Sequence, residues 1–108
     1  MSSLWEQRAA RNEALFRKVN ENIARLEARH GTTLTEAVYI CECANAGCAE
    51  QLAIDPDTYS RVRAQPRLFF VRHGHEDPQL ERVVETHPDY LIVEKTGVAG
   101  QVAEQTKN

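Results

Sequence analysis

A chain of 108 residues, 42% apolar and 27% charged, has the length of one domain and too many apolar side chains for wholesale disorder. A formal net charge of −3 argues against a general polyanion binder, although it leaves room for a local basic patch. The opening residues Met1-Ser2-Ser3-Leu4-Trp5-Glu6 lack a secretory pattern, and no apolar run nears the roughly 18 residues of a membrane span, so the expectation is a cytoplasmic chain with reduced thiols and no membrane partner.

The first element is a long helix. Ser3-Leu4-Trp5-Glu6 has the form of a capping box and Gly31 that of a closing left-handed residue, with about 27 helical residues between them, or roughly 40 Å. Trp5, Ala9, Asn12, Phe16, Val19, Ile23, Leu26 and His30 recur alternately at four and three, the spacing of a heptad seam, and Leu15 widens the stripe. Two readings follow. The stripe lies on the helix's own domain, or residues 1–31 form an arm whose N-terminal half projects and pairs with a second copy or a partner protein. A compact domain of this size spans only ~25–30 Å, which speaks for projection. In that reading Trp5, Ala9, Asn12, Phe16 and Val19 are the self-association residues of a homodimer, with Asn12 setting the register.

Residues 32–96 read as an α+β domain. Strands are expected at 36–41, 50–54, 67–72, 80–85 and 90–95, the third being the most apolar and therefore central. His87-Pro88-Asp89 marks a hairpin turn between the last two. Asp55 as N-cap, Pro56 at the first helical position and Asp57 in the first turn start a short helix that ends before Pro66 and puts Tyr59 and Val62 on one face. Residues 97–108 carry too few apolar side chains for a core element and are expected as a flexible tail or a marginal helix. The fold class is α+β: a long N-terminal helix, then a small, mostly antiparallel, zinc-stabilised β-sheet with one short helix.

All three cysteines fall within residues 41–48. Cys41 and Cys43 sit two apart on a strand and project from one face, and a turn through Gly47, free to take positive φ, can bring Cys48 back beside them. Three thiolates so close repel one another unless a cation neutralises them, as zinc does at about 2.3 Å. An odd number of cysteines in a reducing compartment points the same way. The fourth ligand must come from the four histidines. His30 ends the long helix and His87 lies in a distant turn, whereas His73 and His75 follow the strand expected beside the cysteine hairpin. His75 is preferred, because Gly74 lets the loop bend toward the metal, and His73 is the alternative. The C-x-C-x4-C spacing differs from the common C-x2-C, so a redox-sensing thiol cluster, an iron–sulfur site and unligated core cysteines stay open as other readings. A closed Cys41, Cys43, Cys48, His75 site supplies folding free energy rather than catalysis. If His75 were not a ligand, the position would open and Glu76 would be the candidate general base.

Cys41-Glu42-Cys43 with Cys48, Tyr59-Ser60-Arg61-Val62-Arg63, Gly74-His75-Glu76, Glu81-Arg82-Val83-Val84-Glu85 and Tyr90-Leu91-Ile92-Val93-Glu94-Lys95 together resemble a group of small uncharacterised bacterial proteins. Those share a C-E-C-x4-C cluster, a Y-x-x-V-R helix, a G-H-E loop and a closing V-V-E-K strand. The resemblance covers nearly the whole chain, implies a shared fold and adds weight to His75. His73 stands where that group is expected to carry a proline, so a competing His73 is peculiar to this chain. The group has no assigned activity.

Three functions compete. A capped heptad helix, a closed ligand set and the lack of any nucleophile–base pair or phosphate loop suggest a non-enzymatic interaction or regulatory module. Arg61, Arg63, Arg67 and Arg72, near Tyr59, Phe69 and Phe70, suggest a nucleic-acid-binding patch, balanced by Asp55, Asp57, Glu76 and Glu81. Third, oxidation of two thiolates could eject zinc, which would make a thiol-based redox or zinc sensor.

Overall fold

Eight elements follow one another in a computed structural model that describes residues 4–30, 37–45 and 47–106. They are α1 (Leu4–His30), β1 (Ala37–Ile40), β2 (Gln51–Ile54), α2 (Pro56–Arg63), β3 (Leu68–Val71), β4 (Glu81–Thr86), β5 (Leu91–Lys95) and α3 (Gly97–Gln105). The expected helix caps Ser3 and Gly31, and the side chains of Trp5 and His30, lie outside the described residues. The layout is α+β and every strand pair is antiparallel. No helix among the described residues is long and apolar enough to cross a membrane.

The strands form two sheets rather than one. β1 and β2 make a hairpin in register from Ala37↔Ile54 to Ile40↔Gln51, and β3, β5 and β4 make a three-stranded sheet in that order. The central strand is thus β5 and not the expected β3. Four of the five β5 residues are buried, Lys95 among them, so a run containing two charges occupies the middle of the sheet. β4 is an outer strand, bulged between Val83 and Glu85. Tyr39, Leu52, Ile54, Tyr59, Val62, Phe69, Phe70, Ile92 and Val93 form the shared core, with Tyr39 and Tyr59 stacked at 4.3 Å. α2 begins as its sequence requires: the Asp55 carboxylate accepts from the Thr58 amide at 2.9 Å and Tyr59 and Val62 face inward.

The expected apolar stripe of α1 does not define its buried face. Ala9, Ala10, Glu13, Arg17 and Asn20 are buried, whereas Leu15 and Val19 are exposed, so the inward face is turned about a quarter of a revolution from the heptad seam at about 3.6 residues per turn. Polar anchoring explains the rotation. Arg17 donates to Pro66 O (2.7 Å), to Ala103 O (3.0 Å) and to Thr106 Oγ1 (2.9 Å), and its guanidinium lies 4.9 Å from the centre of the Phe69 ring. Asn20 reads the edge of β1 like a neighbouring strand, donating to Ile40 O at 2.8 Å and accepting from Ile40 N at 2.9 Å. The stretch from Ala9 to Asn20 is therefore packed on its own domain and does not project as an arm.

The C-terminal segment, expected as a tail or a marginal helix, contributes core contacts as α3. Its buried residues are Ala99, Gly100 and Ala103, and Ala99 belongs to one small apolar cluster with Ala9, Ala10 and Leu80. Small side chains let the helix approach closely. A Cβ on Gly100 would stand 2.9 Å from the Lys95 carbonyl oxygen, so α3 needs glycine there. Counting apolar bulk cannot register such an element. Arg17 accompanies it as a cation at the helix C-terminus, where unpaired carbonyls favour positive charge.

Candidate metal centre

The ligand-bearing stretch begins where β1 ends. Cys41 N donates to Glu50 O at 2.8 Å, which extends the hairpin by one step, and then the chain crosses to the other sheet, with Glu42 N donating to Phe70 O at 2.7 Å. Cys41 and Cys43 share one face, and Glu42 points the opposite way. Asn45 shapes the return: its side chain accepts from Gly47 N at 2.9 Å and its carbonyl from Cys48 N at 3.0 Å. Gly47 does not take positive φ. That role falls to Gly74, at φ 87°, where the chain after β3 turns so that His75 N reaches Arg72 O at 2.9 Å.

These turns bring Cys41 Sγ, Cys43 Sγ, Cys48 Sγ and a ring nitrogen of His75 within 4.8 Å of one another. His75 Nδ1 lies 3.6 Å from Cys41 Sγ and 3.5 Å from Cys48 Sγ. Metal–sulfur arms near 2.3 Å and a metal–nitrogen arm near 2.0–2.1 Å, set at tetrahedral angles, separate S and N by about 3.5 Å. The four groups therefore fit a tetrahedral ion, and together they can hold a metal. No family model, no curated protein and no solved structure matches the chain. The chemistry of the site rests on these donors and on what surrounds them.

Cys41 Sγ also accepts the Arg72 amide at 3.3 Å, and the nearby backbone amides of Asn45 and Glu50 act to lower the Cys43 and Cys48 thiols. Such donors stabilise thiolates. Left to themselves the three thiols share protons unequally. The Cys41 thiol donates to Cys43, which brings Cys43 down to about 5, and the same bond, with burial, pushes Cys41 far above the ordinary thiol range. Burial also raises Cys48. A divalent ion held by these residues would displace the remaining protons.

His73, the alternative ligand, stands apart, its Nε2 donating to His87 O at 2.6 Å. Glu76 accepts from Gly74 N at 2.9 Å and so helps hold the loop that presents His75. The seam residues are dispersed. Ala9 is buried within its own chain, Phe16 is half-buried, Asn12 donates to Ala44 O at 3.4 Å, and Val19 faces outward. The arginines expected as an anion patch are each already set against a carboxylate: Arg61 on Glu85 (2.6 Å), Arg63 on Glu42 (2.7 Å), Arg67 on Glu104, and Arg72 on Glu50 (3.6 Å).

The residue that sequence reasoning passed over is Glu42. Fully buried, it accepts from Phe70 N (2.9 Å), Asn20 Nδ2 (2.8 Å), Arg63 Nη1 (2.7 Å) and Arg63 Nη2 (3.2 Å). It thereby joins the hairpin, β3, α1 and α2 at the point between the two candidate ligands Cys41 and Cys43. The signal was present in alternation: a charge between two inward cysteines on a strand points into the opposite side and needs a partner there. Glu42→Gln is expected to cost about 1.5–3 kcal/mol, the range for hydrogen bonds to charged groups, and to weaken metal binding at least about tenfold by loosening the support of the candidate ligands. Denaturant titration and competition with a chromophoric chelator check the two effects.

Proposed function

We propose that the protein is a small cytoplasmic zinc protein in which the metal is structural, and that it works as a non-enzymatic interaction module whose binding element is α1. The observation that carries the metal reading is the closed set of Cys41, Cys43, Cys48 and His75, whose S–N spacings of 3.5–3.6 Å suit a tetrahedral ion. Three thiolates and one imidazole in that geometry select zinc over hard cations. When bound, the zinc would supply folding free energy, with all four positions taken by protein. What the chain contributes is a scaffold: Glu42 and Arg63 fix the strand between the sulfurs, and Arg17 and Asn20 fasten α1 to the same body. The outward side of α1 is then presented on a rigid support.

Elemental analysis of purified protein is the test. One zinc per chain is expected, lost in Cys43→Ser and His75→Ala and kept in His73→Ala. Retention of zinc by His75→Ala with loss in His73→Ala would reassign the fourth ligand. Absence of any thiophilic metal would remove the reading.

A further inference from the structure

Among the described residues, the positive charge without an ion-pair partner lies on α1 and not around the candidate metal site. Arg8, Arg11, Lys18 and Arg25 are all exposed, and among the described residues none of them has an ion-pair partner. Arg11, Lys18 and Arg25 recur every seven residues and so form one row along the helix. Beside that row runs an apolar line of Leu15, Val19 and Leu26, exposed by 60%, 37% and 52%. The strip from Arg8 to Leu26 is roughly 27 Å long at about 1.5 Å per residue. On its other flank Phe16 and Ile23 are half-buried, Ile23 against the domain's own core. An apolar line with cations on one side only is half of a helix–helix contact.

We infer that this face docks an amphipathic helix of a partner protein that carries an acidic row along one flank. The inference rests on α1 being the binding element proposed above, and it names the partner's chemistry. A second copy of the same helix is a poor occupant. Packed antiparallel, the row of Arg11, Lys18 and Arg25 meets its own equivalent; packed parallel, it meets the line of Ala9, Phe16 and Ile23, of which the domain already holds Ala9 and Ile23 and half-buries Phe16. A phosphate backbone would satisfy the cations and leave Leu15, Val19 and Leu26 without an apolar counterpart. An acidic amphipathic helix satisfies both rows at once.

The test uses the full zinc-loaded chain and a synthetic 21-residue helical peptide with leucine on its apolar line and glutamate on both flanks; a second peptide has lysine in place of glutamate. Calorimetry near 0.15 M salt is expected to show the glutamate peptide binding at least tenfold tighter than the lysine peptide. The triple variant Arg11→Glu, Lys18→Glu, Arg25→Glu should reverse that preference, and Leu15→Ala with Leu26→Ala should weaken binding at least tenfold. Zinc content and melting temperature, followed in every variant, separate failure of docking from failure of the metal scaffold. Equal binding of the two peptides overturns the inference. So does tighter binding to duplex DNA or to anionic phosphatidylserine vesicles than to the glutamate peptide, or a dimer of the chain that dissolves on Leu15→Ala, Leu26→Ala.

Discussion

Chelation of the metal is expected to abolish the cooperative thermal transition of the β1–β2 hairpin and its junction with β3, and added zinc should restore it. Structural zinc of this ligand type contributes on the order of 10–16 kcal/mol of apparent binding free energy at neutral pH, comparable with or larger than the about 5–15 kcal/mol that stabilises a whole small domain. The reason is local. β1 and β2 have four residues each, and a lone two-stranded hairpin is marginal in water. Its far end is held by Cys41, Cys43 and Cys48, of which the first two are buried. A metal that links those sulfurs to His75 ties the hairpin to the loop after β3 across more than thirty residues of chain. Far-UV circular dichroism during heating, with and without a strong chelator, reads the effect, and Cys43→Ser should reproduce the chelated curve. Helical signal should outlast strand signal, because α1 is also fastened by Arg17 to α3 and to the Pro66 carbonyl. An unchanged transition after complete metal removal would mean that the core residues alone sustain the fold.

What could be read from the residues in order was whatever depends on neighbours in sequence. The i, i+2 pair Cys41 and Cys43, the glycine that turns the loop before His75, and the Asp55-Pro56 helix start are all local devices, and the structure uses each of them. Both hairpins were legible for the same reason. The inward face of α1 was not, because its anchors Glu13, Arg17 and Asn20 are polar and their partners lie 82, 49 and 20 residues away. Periodicity ranks such residues as surface, and only their distant partners make burial tolerable. The arginine patch misled in the opposite sense: four nearby cations look like an anion site until Glu42, Glu50, Glu85 and Glu104 arrive from other elements. α3 escaped notice because alanine and glycine pack by closeness rather than by bulk.

The same long-range polarity supports a second large prediction, that Lys95→Met destabilises the protein by about 3–5 kcal/mol, as removing one partner of a buried ion pair does. Lys95 on β5 sits between the carboxylates of Glu13 on α1 and Glu81 on β4, and all three side chains are almost wholly shielded from water. Its ammonium also lies 4.9 Å from the centre of the Phe69 ring, a ring shared with Arg17. Two carboxylates around one ammonium leave an excess negative charge in a dry site. Burial accordingly pushes Glu13 up to about 8, with Glu81 adding to the rise and Lys95 opposing it. Among the described residues, one oxygen of Glu13 finds no hydrogen-bond partner. The native state therefore holds this proton more tightly than the unfolded chain, whose glutamate has the ordinary value of 4.5. Stability from this group is complete below that value and is lost as pH rises through about 8. The slope approaches about −1.4 kcal/mol per pH unit in that window. Glu13→Gln, which keeps a neutral side chain of the same shape, should flatten this part of the curve of unfolding free energy against pH. In Lys95→Met, which removes the charge opposing the rise, the penalty should be larger above about pH 8, where Glu13 is charged, than below it, where Glu13 holds its proton. Adding Glu13→Gln and Glu81→Gln to Lys95→Met should recover part of the loss, because no buried charge is then left without a counterpart. Denaturant titrations of the four proteins at several pH values measure all of these terms, and a pH-independent Lys95→Met penalty that the added glutamines leave unchanged would assign the loss to packing alone.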